Sequence, residues 1–233
     1  MLRILTSLLF LLPFTLAAQT GSTFSIGTGL FFFGGNAAVK NSFLVSDNTK
    51  NTSYINNPYG KKPGFSFNIS QDIHRCTKNR FLFGMSLGGN YLRAISNLEQ
   101  IDYTSENLAT VQSKAVFRIY DAAVLPYIGK RFKINDLEVD IAGGAEFAFP
   151  VYSEEKAEIK TRAGYKIQTE RKRNVISRDI RPTLRINTFY NNVGFFASYS
   201  HGLSNYAIEI SGADPVINSR IIKFGFNYRF QKS

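Results

Sequence analysis

"IIKFGFNYRF" (residues 221–230) decides how the rest of the 233-residue chain is read. Side chains alternate across a strand, so Ile222, Phe224, Phe226, Tyr228 and Phe230 share one face. Ile221, Lys223, Gly225, Asn227 and Arg229 share the other. One face is greasy along its length and the other is polar and basic. A soluble barrel turns its polar face outward, whereas a membrane barrel turns its greasy face to lipid.

The same period of two recurs along the chain. In "GFSFNISQDI", Phe65, Phe67 and Ile69 oppose Ser66, Asn68, Ser70 and Asp72. In "RFLFGMSLGGNYL", Phe81, Phe83, Met85, Leu87 and Tyr91 oppose Gly84, Ser86, Gly88 and Asn90. "LEVDIAGGAEFAF", "IRPTLRINTFY" and "VGFFASYS" alternate likewise. With residues 23–33 and 113–132 this predicts about eight strands, the smallest membrane barrel. In the 113–132 run, Asp121 falls in phase with Phe117 and Ile119, and a bulge near Asp121-Ala122 would resolve that conflict.

The connections point the same way. Segments 34–62, 94–112, 152–177 and 201–218 are long and polar, while 74–79, 133–136 and 191–192 are short. Long and short in alternation predict an all-β, antiparallel up-and-down transmembrane barrel with long outer loops and short periplasmic turns. Gly, Ser and Asn on the polar faces suit a narrow lumen. Tyr190, Tyr228 and Phe230 at strand ends suit an interfacial aromatic girdle.

Composition fits this reading. Phe (21) and Tyr (12) are abundant, and Trp is absent. The lone cysteine, Cys76, excludes an intramolecular disulfide and a thiolate metal cluster. Arg3, an apolar run over residues 4–16 and Ala17-Ala18 read as a secretory signal peptide, giving residues 1–18 as signal and 19–233 as barrel. The net charge of +11 is compatible with anionic headgroups; nucleic acid is not an expected partner on an outer surface.

Lys223-x-Gly225-x-x-Tyr228-x-Phe230 resembles the C-terminal assembly signal of outer-membrane barrels, with Gln231-Lys232-Ser233 added beyond the final aromatic. That resemblance implies pairing with the barrel-assembly machinery during biogenesis. The mature chain also resembles the small outer-membrane barrels that include PorT-like proteins, most clearly over "YDAAVLPYIGKRFKINDLEVDIAGGAEFAF" (residues 120–149). The resemblance implies an outer-membrane, cell-envelope barrel without a common enzymatic activity.

No phosphate loop, zinc spacing or calcium loop is present, and no catalytic, metal or cofactor residue is assigned. His74 is expected in a solvated periplasmic turn. Ser200 and His201 are neighbours on a strand and face opposite ways, so they cannot act as nucleophile and base. The charged segment 152–177 reads as a hairpin beyond the membrane; its "ERKR" could instead meet lipopolysaccharide phosphates, and outer loops could meet proteins.

The expected function is structural or protein-interacting in a monomer. A narrow, porin-like solute channel and a lipid-modifying enzyme using His201 are the alternatives. The expected lumen charge network comprises Asp72, Arg118, Glu138, Asp140, Glu146, Arg181, Arg185, Lys223 and Arg229. Strand direction places Glu146 in the outer half with Arg118, Arg181 and Arg185. It places Asp72, Glu138 and Asp140 toward the periplasm, near Arg229 and Lys130. Charges in so narrow a space must pair or hydrate, which predicts layers that block the axis.

Overall fold

The computed structural model describes residues 19–47, 52–100, 113–160, 166–207 and 214–231; the expected signal segment lies outside them. Eleven strands follow one another: β1 (Gln19–Gly34), β2 (Asn41–Asp47), β3 (Thr52–Ile55), β4 (Lys62–Cys76), β5 (Phe81–Gln100), β6 (Lys114–Ile134), β7 (Leu137–Lys160), β8 (Lys166–Lys172), β9 (Asp179–Tyr190), β10 (Val193–His201) and β11 (Asn218–Gln231). Eight of them, β1, β4, β5, β6, β7, β9, β10 and β11, pair antiparallel in that order, and β11 closes on β1. The fold is an up-and-down eight-stranded barrel.

Alternation sets its two faces. Phe65, Phe195, Phe226 and Ile128 project outward, each more than half exposed. Asn68, Asp72, Asn90, Arg181, Lys223 and Arg229 project inward and are buried. An outer wall this apolar is what a lipid-facing barrel needs, and closure removes the edge whose unpaired amides lipid cannot satisfy. At the narrow inner turns Arg80, Asn135 and Asn191 take positive φ (64°, 54° and 54°). Asn tolerates that conformation better than most residues.

Gly27 and Gly225 face each other across β1 and β11. A Cβ on Gly27 would stand 2.6 Å from the Phe196 ring, and one on Gly225 2.9 Å from it. The two glycines thus make the floor on which Phe196 lies inside the barrel.

Three strands outrun the barrel. β5, β6 and β7 have 20, 21 and 24 residues, against 9 in β10 and 12 in β9. Their upper halves separate from the ring and gain new partners. β2 runs parallel beside β5, β3 pairs with β2, and β8 pairs with β7. The result is a six-stranded upper storey, in the order β3-β2-β5-β6-β7-β8, with its own core of Leu44, Ile55, Leu98, Ala115 and Ala157. Residues 94–100, expected within a loop, are therefore strand, and the charged segment 152–177, expected as a hairpin, forms one through β7 and β8.

The bulge is real, but it lies on the other strand. Tyr120 pairs with Tyr152 and Asp121 with Pro150, so Val151 of β7 is the extra residue. β6 keeps one phase throughout: Phe117, Ile119, Asp121, Ala123 and Leu125 are all buried. β7 changes phase instead. Glu146 and Ala148 face inward below the bulge, and Ser153, Glu155 and Ala157 above it.

Candidate functional site

The lumen is layered. At the top lies an aromatic cap. The Phe33 ring stands 5.1 Å from Tyr59, 5.1 Å from Tyr206 and 6.1 Å from Phe117. Phe31, Leu92, Ile119, Ile217 and Ile221 complete this buried cluster. Tyr206 arrives from the loop after β10, whose course is fixed by Tyr206 N–H donating to Ile217 C=O at 2.9 Å.

Beneath the cap sits Arg181, fully buried. Its guanidinium donates to Asp179 at 2.7 Å, Glu146 at 2.8 Å and Asp121 at 3.0 Å. Lys223 Nζ donates to the second Glu146 oxygen at 2.9 Å, Asn90 to Asp121 at 2.6 Å, and the Tyr206 hydroxyl to Asp179 at 3.0 Å. Three carboxylates thus meet two cations, and cap and charge layer share Tyr206. Buried charges persist only when paired and hydrogen-bonded in this way.

Lower down, a small polar cavity is bordered by Asn68, Ser70, Ser86, Asn90, Thr183 and Lys223. Arg185 marks its lower side. It pairs with Asp72 at 2.9 Å, donates to Ser25 at 2.9 Å, and stacks on Phe196 with 5.1 Å to the ring centroid. At the short-turn end Arg131 holds Asp140 through two bonds of 2.7 and 2.9 Å. Arg229 bridges Glu138 and Asp140 and lies 3.6 Å over the Phe189 ring.

The expected network is mostly inside, with changed partners. Arg185 neutralises Asp72 rather than Glu146. Arg131, not Lys130, joins Arg229 at the lower end; Lys130 points outward between the Phe81 and Phe132 rings. Arg118 is a correction: it is on the outer wall, because β6 does not change phase at Asp121. Its Nη1 donates to Glu154 at 2.8 Å. Asp121 and Asp179, both in the charge layer, were absent from the expected set. Asp179 lies two residues before Arg181 on one strand, which is the signal that could have found it.

His74 also differs from expectation. β4 continues to Cys76, and His74 is buried in the lumen, where a Cβ on Gly21 would meet its Nε2 at 2.8 Å. Ser200 points inward to Thr183 at 2.9 Å, and His201 Nδ1 lies 3.1 Å from the Tyr199 hydroxyl, so the pair stays apart. Among the described residues no cluster of His, Cys, Asp and Glu could hold a metal ion.

"ERKR" also makes contacts within the protein. Glu170 pairs with Lys156 at 2.9 Å, Arg171 lies over Tyr54, and Lys172 lies over Tyr152. Arg173 holds buried Glu155 at 2.7 Å and also donates to Ile55 C=O, while Ile55 N–H donates to Glu155 at 3.2 Å. This clasp ties β3 to β8 and closes the upper storey. Of the assembly-signal residues, Lys223 and Gly225 face the lumen. Tyr228 and Phe230 face outward, edge to face at 5.0 Å.

No protein-family model matches the chain, and no curated protein matches its sequence. Among solved structures it is similar to Ail, the attachment invasion locus protein of Yersinia pestis. One structure of Ail, in complex with the heparin analogue sucrose octasulfate, gives 15% identity over 91% of this chain and 99% of that one, with a TM-score of 0.36. Another gives 14% identity over the same shares, with a TM-score of 0.35. Neisserial surface protein A (NspA) gives 12% identity over 91% of this chain and 96% of that one, with a TM-score of 0.36.

Proposed function

We propose that this protein is a small outer-membrane barrel that does no chemistry and serves as a structural or protein-contacting element of the cell envelope. In this orientation the short turns face the periplasm and the upper storey faces outward. The observation that carries the reading is an apolar outer wall around a lumen closed twice, by the Phe33–Tyr59–Tyr206 cap and by the Arg181 charge layer. A channel needs a continuous wet path, and neither layer leaves one. The upper storey supplies a rigid surface outside, with its own core and its own clasp. The resemblance of residues 120–149 to PorT-like barrels agrees with a role that needs no active site.

The test has two arms. Fractionation should place the protein in the outer membrane as a heat-modifiable band, and planar bilayers should show no steady conductance. A stable open conductance of the size a water-filled pore gives would replace this reading with the channel. Lipid-deacylase activity lost in His201→Ala would replace it with the enzyme.

A further inference from the structure

On the outer wall of the upper barrel, Tyr91, Tyr120 and Tyr152 form a ladder across β5, β6 and β7, with ring centroids 5.1 and 5.9 Å apart. Amphipathic rings of this kind sit at headgroup level in a bilayer. One step outward along the same strands, Arg93 pairs with Arg118, Arg118 with Glu154, and Glu154 with Lys172.

The first pair is the anomaly. Arg93 and Arg118 are direct cross-strand partners, and like charges so placed repel. Glu154 answers Arg118 alone, and Tyr152 OH and Lys156 also draw on that carboxylate, at 3.0 and 3.7 Å. Among the described residues Arg93 has no carboxylate partner. The Nε of Arg93 and the Nε of Arg118 are both shielded from solvent without a hydrogen-bond acceptor. Protein atoms cover both Nε groups, so an anion would have to meet the remaining guanidinium N–H groups, where it would relieve the repulsion between the two cations.

We propose that Arg93 and Arg118 together bind the phosphate of an outer-leaflet lipid headgroup. This rests on the membrane placement above. The tyrosine ladder fixes the depth, the two forks supply planar donors suited to phosphate oxygens, and the greasy wall below accepts acyl chains. Glu154 limits the site by competing for Arg118.

The test uses the full mature chain in detergent micelles and native mass spectrometry, with bis-phosphorylated lipid A as probe. Its dephosphorylated form and inorganic phosphate are the comparison arms. The phosphorylated lipid should bind, and the Arg93→Gln/Arg118→Gln double variant should bind it at least about tenfold more weakly. Dephosphorylated lipid A should bind no better than that variant does. Glu154→Gln should bind more tightly than wild type, a gain that loss of folding cannot imitate. Arg93→Lys, which keeps charge but loses the fork, should fall between. Equal binding of inorganic phosphate and lipid would overturn the lipid as source, and an unaltered double variant would overturn the site. Heat-modifiability and membrane fractionation run alongside. A barrel correctly placed in the outer membrane that ignores the phosphate refutes this inference alone; a protein found elsewhere refutes the reading beneath it.

Discussion

Arg181 and Arg185 lie on the same face of β9, yet they do different work. Arg181 is fully buried against three carboxylates, whereas Arg185 neutralises Asp72 and otherwise bonds to neutral groups. Removing Arg181 leaves Asp121, Asp179 and part of Glu146 uncompensated, so Arg181→Met should cost about 3–5 kcal/mol of stability. Arg185→Ala should cost less, about 1–3 kcal/mol, because its main loss is one carboxylate beside a polar cavity that water can enter. Urea unfolding in lipid vesicles, followed by gel mobility, would rank them; the reverse order would show that the Arg181 layer is not the keystone. That both residues face inward could be read from "IRPTLRINTFY". Their partners could not, because Asp121 two strands away and Asp72 four strands away are chosen by the barrel's closure and shear, which no single strand records.

At the scale of elements, the apolar strand faces were legible because lipid demands them: along the barrel wall most outward residues are greasy, with Thr28, Gln71 and Thr188 among the exceptions. The upper storey was legible only in part. The charged segment 152–177 reads as a hairpin, but β2, β3 and the upper part of β5 lie in segments that read as loops. The inward face is built partly of alanines, and the outward face of β7 carries Glu154, Lys156 and Glu158, so no greasy stripe marks it. A bulge is equally hidden. The phase conflict at Asp121 was visible, but an extra residue exists only relative to a partner, and Val151 of β7 reveals itself only in the register with β6. Deleting Val151 tests this. Pro150 and Tyr152 would then be neighbours opposite Asp121 and Tyr120, so alternation runs on unbroken and Ser153, Glu155 and Ala157 keep their inward faces. The clasp and the barrel should both persist. Limited proteolysis of the deletion variant should match wild type within residues 166–178. New cleavage there would mean that β7 needs its bulge. Deleting residues 221–233, in contrast, should abolish the barrel itself, since β11 pairs with both β1 and β10; a folded, membrane-inserted product would refute the topology.

The whole molecule is two closed units on one set of strands. The barrel has the Phe33 cap and the charge layers; the upper storey has the Leu44–Ile55–Leu98 core and the Arg173–Glu155 clasp. β5, β6 and β7 run through both. Arg173→Ala should therefore loosen β3 and β8 without changing the melting behaviour of the barrel. Hydrogen exchange should show early loss of protection in residues 52–55 and 166–172 and unchanged protection in β9 to β11. A uniform change throughout would mean a single cooperative unit.

The Val151 bulge has a consequence for descent. Because it resets the inward phase just below the tyrosine ladder, the pattern that the bilayer imposes ends there, and the pattern above is free to follow another rule. A lineage of such proteins can then rewrite everything above residue 151 of β7, and the matching lengths of β5 and β6, while the wall below keeps its grammar. Relatives should diverge sharply at that latitude, like buildings that share foundations and differ in every upper floor.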